Sequence, residues 1–241
     1  DILGLGQGAT AGALVMIVLF SGSANQVALG ALVGGLVTGF AIYVLAWKRG
    51  VHGYRLVLVG IGVSAIVTAV NGYLLTRSDI MDAARAVVWI TGSLDGRDWA
   101  QVWPLLALCA VLVPLVLANT RGLRVIEMGD DVSYALGVRV ERVRLLLVLA
   151  AVLLTASATA AAGPVAFVAL TAPQLARRLT RSPGPNLVPS LCMGAALLVS
   201  ADWASQRVFG AEQLPVGVVT GVLGGAYLLW LLVTERRAGR I

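Results

Sequence analysis

Between Ile2 and Trp47 the chain carries no charged residue, and apolar runs of similar length recur as far as Val233. The runs are continuous rather than alternating, which predicts membrane-crossing helices and argues against a transmembrane β-barrel. About 20 apolar residues span the hydrocarbon core of a bilayer. On that measure the pattern predicts an all-α polytopic membrane protein with eight crossings in a single transmembrane domain over 1–241. The first crossing, near Ala9 to Phe20, is short, and the polar stretch Ser21 to Gln26 separates it from the second, Val27 to Trp47. Leu56 to Thr76 and Trp99 to Thr120 are the third and fourth. Leu145 to Ala176 is too long for one helix and divides at Ala160 to Pro164 into the fifth and sixth. Leu187 to Gln206 and Pro215 to Val233 complete the set.

The basic residues give an orientation. Of the 18 Lys and Arg, fourteen lie in alternate connections: Lys48 to Arg55, Arg121 to Arg144, Arg177 to Arg181 and Arg236 to Arg240. The other four are Arg77, Arg85, Arg97 and Arg207. Positive charge collects on the cytoplasmic side, which places the C-terminus and the Asn119 to Arg144 connection inside. Asp1 falls on the same side with no signal-peptide pattern, so a missing N-terminal segment holding an even number of helices is expected. Trp47, Trp99, Trp103 and Trp230 fall near predicted helix ends, where an indole suits the interface.

Composition narrows the class. Of the 241 residues, 59% are hydrophobic and 12% charged, half the roughly 25% charge of a soluble domain. That excludes a soluble globule and a disordered chain. The net charge of +6 then belongs to the inner loops rather than to nucleic-acid binding. Gly8-x-x-x-Gly12, Gly30-x-x-x-Gly34, Gly35-x-x-x-Gly39 and Gly217-x-x-x-Gly221-x-x-x-Gly225 each line one helical face and predict close packing within the chain. Pro104, Pro114 and Pro173 mark expected kinks or breaks, and Pro215 suits a first helical turn. Cys109 and Cys192, inside apolar runs, read as small core residues. The lone His52, among Lys48, Arg49 and Arg55, reads as a loop residue.

There is no phosphate-binding glycine loop, metal-ligand cluster or Ser/His/Asp set. Polar residues within the spans are few: Thr68, Asn71, Ser157, Asp202 and Gln206. Asp202, the one acidic residue in a span, is either a functional point or a local partner of Arg207 near the outer end. So sparse an interior argues against an intramembrane enzyme. It also argues against the alternative of an ion-gradient-driven carrier, which needs titratable groups at mid-membrane. A conduit driven from outside the membrane domain remains. Two connections stand out. In Asn119 to Arg144, Asp130 and Asp131 suit a helix start and Gly137 a helix end, so two short helices with a turn at Gly137 would form a rigid knob; an ordinary basic loop is the competing reading. Arg77 to Asp98, which includes Asp79, Asp82 and Asp95, is either a short amphipathic helix at the outer surface or a plain loop.

Four stretches are more specific together than any one alone: Asp1-Ile-Leu-Gly-Leu-Gly-Gln-Gly-Ala9, Gly129-Asp130-Asp131-Val-Ser133-Tyr-Ala135-Leu136-Gly137, Gly163-Pro-Val-Ala-Phe167-Val-Ala-Leu-Thr-Ala-Pro173-Gln-Leu-Ala-Arg177 and Leu214-Pro215-Val-Gly217-Val-Val-Thr-Gly-Val-Leu-Gly224. In order and spacing they resemble signatures of the FecCD-type permease subunits of ABC importers for iron-siderophores, haem and cobalamin. The second is similar to that family's Gly-Glu-x-x-Ala-x-x-Leu-Gly element, and the last to its Leu-Pro-x-Gly-x-x-Thr-x-x-x-Gly.

The resemblance implies a ten-helix permease fold, of which this chain would lack the first two helices, in the bacterial inner membrane. It implies import of ferric siderophores by a complex of two permease subunits (identical or different), two cytoplasmic ATPase subunits that bind ATP and Mg, and an extracytoplasmic binding protein. This chain would hold no cofactor and perform no catalysis. The resemblance assigns Gly129, Asp130, Asp131, Ser133, Ala135, Leu136 and Gly137 to ATPase coupling and Gln206 and Arg207 to the binding-protein contact. Gly163, Phe167, Pro173, Arg177, Pro215 and Gly217 are structural motif positions. The sequence departs from the family at Gln174 (His in the family), Ser133 (Ala), Gln213 (acidic, with Glu212 adjacent) and Gly224-Gly225-Ala226 (Gly-x-Pro). Gln206 stands where the family has Arg, with Arg207 one residue later. Such departures fit one half of a heterodimeric permease.

Overall fold

The computed structural model describes residues 4–47, 53–182, 184–207 and 214–237. Asp1, Lys48, Arg49, His52, Glu212, Gln213 and Arg240, which entered the reading above, lie outside them. The described residues form eleven helices: α1 (Leu5–Phe20), α2 (Ala24–Ala46), α3 (Gly53–Arg77), α4 (Ile80–Thr91), α5 (Trp99–Ala118), α6 (Thr120–Ile126), α7 (Asp130–Ala135), α8 (Val140–Ala162), α9 (Val168–Thr180), α10 (Leu187–Arg207) and α11 (Val216–Arg237).

The expectation of eight helices able to cross is corrected to five long apolar ones. Among the described residues, only α2, α3, α5, α8 and α10 are long and apolar enough to cross a bilayer. The other three fall short for local reasons. α1 has 16 residues, about 24 Å at ~1.5 Å per residue, against a core of about 30 Å. α9 has 13, because Gly163 (φ 76) ends α8 and Phe167 (φ 66) delays the next helix. The apolar part of α11 runs only from Val216 to Leu231. Hydropathy counts apolar residues and does not register where the backbone leaves the helix.

The helix starts follow local chemistry. Gln26 Oε1 accepts the Ser23 amide at 2.8 Å, and Gln101 Oε1 accepts the Asp98 amide at 2.8 Å. Both are capping boxes that satisfy otherwise orphaned donors at α2 and α5. α5 continues as one helix through Pro104 and Pro114. α4 occupies the predicted amphipathic segment, and Arg85 Nη2 donates to the Gly22 carbonyl at 2.8 Å, tying α4 to the α1–α2 turn. Cys109 and Cys192 are free thiols.

The chain divides into two compact units, Asp1–Ile90 with Gly96–Pro164, and Thr91–Asp95 with Val165–Ile241. In the first, α1 and α2 meet along the predicted glycine faces. A Cβ at Gly12 would lie 1.9 Å from the Gly30 carbonyl oxygen, and one at Gly34 would lie 2.4 Å from that of Gly8. Only glycine allows backbones this close. The second α2 face, Gly35 and Gly39, receives Ala156 and Val152 of α8. In the second unit, Ala201 of α10 and Val216 and Val219 of α11 form the core, with Leu94 and Val165 packed against it. Large apolar side chains such as Phe40, Ile66, Val111 and Val199 point outward, as a lipid-facing surface requires.

Candidate functional site

The segment from Asn119 to Arg144 folds into a foot at the start of α8. α6 ends at Ile126, and the chain turns through Met128 and Gly129 into α7. Gly129 has φ 108 and ψ 154, a conformation open in practice to glycine alone. The turn between the two short helices is therefore at Gly129. Gly137 instead ends α7 and leads into α8. With φ 75, it lets its amide donate to the Tyr134 carbonyl at 3.0 Å and lets the Val138 amide donate to that of Ser133 at 3.0 Å. This bond pair is the Schellman close of a helix.

Ser133 faces inward and is fully buried. Its hydroxyl reaches the Val125 carbonyl at 2.9 Å and the Gly129 carbonyl at 2.7 Å, locking α7 to α6. The hydroxyl therefore has a function where the family carries Ala. Asp130 and Asp131 occupy the first turn of α7, where negative charge meets the helix dipole favourably. Asp130 Oδ1 accepts Arg144 Nη2 at 2.8 Å, and Arg144 also lies 4.0 Å from Glu141. Asp131 and Ala135 are exposed. Met128, Val132, Tyr134 and Leu136 are exposed, Tyr134 by 54% and Leu136 by 62%, with Tyr134 on the other side of α7 from Val132.

The other motif residues are placed separately. Gly163 is buried at the end of α8, and its amide donates to the Thr159 carbonyl at 2.8 Å. In the second unit, Phe167 caps the start of α9 and its Cβ lies 2.3 Å from where a Gly224 Cβ would be. Pro173 lies within α9, and Arg177 is exposed near its C-terminal end. Pro215 precedes α11, and Gly217 in its first turn lies against the Thr91 carbonyl. At the end of α10 the Asp202 carboxylate accepts Gln206 Nε2 at 2.9 Å, and Arg207 is exposed. The local partner of Asp202 is thus Gln206.

Cavities stand in the helix packing, among them one of about 300 Å³ between α5 and α8, lined by Leu112, Arg142 and Leu149. Another, of about 460 Å³, is walled by α2, α5 and α8, including Leu32, Pro104 and Ser157. A third, about 240 Å³, is walled by α9, α10 and α11, including Thr171, Ser200 and Tyr227. Among the described residues, no group of three or more His, Cys, Asp or Glu could hold a metal ion.

The profile of the FecCD transport family matches residues 1–234. The chain belongs to the FecCD transport family. It is 45% identical over 237 residues to the ferric enterobactin transport system permease protein FepG of Escherichia coli (strain K12), covering 98% of this chain and 72% of that protein. It is 39% identical over 241 residues to the iron(3+)-hydroxamate import system permease protein FhuG of Bacillus subtilis (strain 168), covering 96% and 72%. A solved chain of an ABC transporter assigned to the metal-chelate type, in an inward-facing conformation, superposes with a TM-score of 0.87 over 97% of this chain and 76% of its own, at 22% identity. That likeness is one of fold. This FecCD member is accordingly a multi-pass membrane protein and a permease subunit of an iron-type ABC importer, part of a multi-subunit complex.

Sequence reasoning missed one FecCD residue of the foot. Arg144 counted only as an inner-side charge, because its partner lies 14 residues away across a turn, beyond the i,i+3 and i,i+4 reach of a single helix. The αL turn at Gly137, which folds α7 back toward α8, was the available signal.

Proposed function

We propose that this permease moves ferric siderophores handed over by an extracytoplasmic binding protein, and that the α6–α7 foot receives ATP-driven motion from a cytoplasmic ATPase. The cargo reading is supported by the relatives, one named for ferric enterobactin and one for iron(3+)-hydroxamate. The coupling reading rests on one observation. The foot ties Ser133 and Asp130 to its own neighbours and leaves the large apolar side chains Met128, Val132, Tyr134 and Leu136 exposed. Exposed apolar side chains on a rigid, polar-rimmed protrusion suit a protein-docking surface. Its surroundings of Arg121, Arg124, Arg139 and Arg142 support a cytoplasmic position.

In this reading the complex holds two permease subunits, two ATPase subunits carrying ATP and Mg, and one binding protein. ATP-driven closure of the ATPases moves the foot, tilts the attached helices and opens the pathway alternately to either side. Arg207, exposed at the end of α10, meets a carboxylate of the binding protein. Gln206 is already engaged by Asp202, so the contact shifts by one residue from the family position.

The test is copurification and uptake. Gly137→Arg places a β-carbon at a φ of 75 and a charge beside the exposed Leu136. Deletion of Asp130 and Asp131 removes the first turn of α7. Either change is expected to cost ATPase assembly and iron uptake. Survival of both functions would defeat the coupling reading.

A further inference from the structure

We propose that Arg144 and Asp130 form a strut, a positioning pair through which the foot drives α8 and which sets how much cargo moves per ATP. This rests on the coupling role proposed above.

Helix α7 has six residues, too few to hold its own shape or place. Ser133 fastens it to α6. Toward α8 the backbone passes through the αL turn at Gly137, closed by the Tyr134 and Ser133 carbonyls. One side-chain bond that spans this turn is Arg144 Nη2 to Asp130 Oδ1 at 2.8 Å, from the first residue of α7 to the second turn of α8. Arg144 is only 18% exposed, and Glu141 lies 4.0 Å from its other terminal nitrogen. Two carboxylates thus aim the guanidinium, whose planar fork keeps direction where an ammonium would not.

Beyond the pair, α8 runs from Val140 to Ala162 with neither Gly nor Pro, so it carries displacement as a rod. Ala156 and Val152 seat it on Gly35 and Gly39 of α2, and Ser157, Ala160 and Ala161 wall the 460 Å³ cavity. From Arg144 to Ala160 the rise is about 24 Å at ~1.5 Å per residue. A shift at Asp130 therefore reaches the cavity wall. The Asp130 side chain is 36% exposed, and so open an ion pair adds little to folding. The strut governs distance, not stability.

The experiment uses the whole transporter in proteoliposomes, with ferric enterobactin and a ferric hydroxamate as cargo probes. Arg144→Met and Asp130→Asn are each compared with wild type, and with the exchanged pair Asp130→Arg/Arg144→Asp. Arg144→Met is expected to retain bound ATPase and to hydrolyse ATP within about twofold of wild type, and Asp130→Asn is read per ATP hydrolysed by the complexes that keep their ATPase. Their uptake per ATP should fall about fivefold, a coupling change within the range of paired charges. The exchanged pair should recover most of that loss, and Arg144→Lys should fall between. Wild-type uptake per ATP in both single variants, or an exchanged pair no better than either, would overturn the strut. Failure of the coupling role itself looks different: the ATPase would copurify with Gly137→Arg as well as with wild type.

Discussion

Gly217 and Gly221 lie one turn apart on α11 and carry the same small-residue spacing, yet their surroundings are opposite. A β-carbon at Gly217 would lie 1.8 Å from the Thr91 carbonyl oxygen, while one at Gly221 would meet nothing within 4 Å. The Gly217 amide also donates to the Gly92 carbonyl at 3.1 Å. Both neighbours are backbone, so Gly217→Ala cannot be relieved by a side-chain rotation. Separation by more than an ångström breaks that hydrogen bond, at about 1–3 kcal/mol for a buried group left unpaired. The strain of overpacking adds about 1–3 kcal/mol. Alanine's better helix propensity returns about 0.8–1 kcal/mol. The net is a loss of about 1–5 kcal/mol at position 217, against a gain of up to about 1 kcal/mol at position 221. The assay is thermal unfolding of the isolated subunit in detergent, followed by tryptophan fluorescence and by size exclusion. At about 2–4 °C per kcal/mol for a chain of this size, Gly217→Ala should melt at least about 2 °C below Gly221→Ala. Equal melting of the two variants would refute the claim that the first turn of α11 is held by backbone approach.

Gly12→Val should open the α1–α2 seam, where the Gly30 carbonyl occupies the space; a melting drop of about 5 °C or more is expected, with no rescue by lipid. Ser133→Ala removes the hydroxyl that bonds the Val125 and Gly129 carbonyls, a net loss of about 1 kcal/mol, read as faster amide exchange in α7 than in α8. Leu136→Asp places charge among the exposed apolar side chains of the foot. ATPase copurification should fall at least about tenfold, the scale of one interface anchor, while the melting temperature of the isolated subunit stays within about 1 °C.

The parts of this fold that could be read from the sequence are those governed by local or solvent-facing chemistry. The five long helices were legible because lipid-facing surfaces such as Phe40, Ile66 and Val199 make a membrane helix apolar on every side. The helix starts at Ser23 and Asp98 were legible in principle from their capping boxes. The break after Gly163 was visible, but the length of α9 was not, since it depends on Phe167 holding φ 66. A bulky residue pays for that conformation only because Gly224 leaves room for its β-carbon. The foot shows the same division. Gly129 and Gly137 mark its turns by their own backbone needs, whereas the bond from Arg144 to Asp130 arises only after those turns are made.

Glycine spacing carries this argument furthest. Gly8, Gly12, Gly30 and Gly34 interlock as their spacing predicts, and Gly35 and Gly39 receive α8. On α11 the same spacing names Gly217, Gly221 and Gly225, but only Gly217 meets a neighbour within 4 Å, and Gly224, outside the repeat, accommodates Phe167. A repeat on one helix says which face permits close approach. Whether a backbone arrives there is decided by a segment remote in sequence, Thr91 for Gly217 and Phe167 for Gly224. Contacts with such remote partners are therefore the ones a family signature preserves and a periodicity cannot reveal, which is why Leu214-Pro215-Val-Gly217 is more informative as a motif than as a stripe.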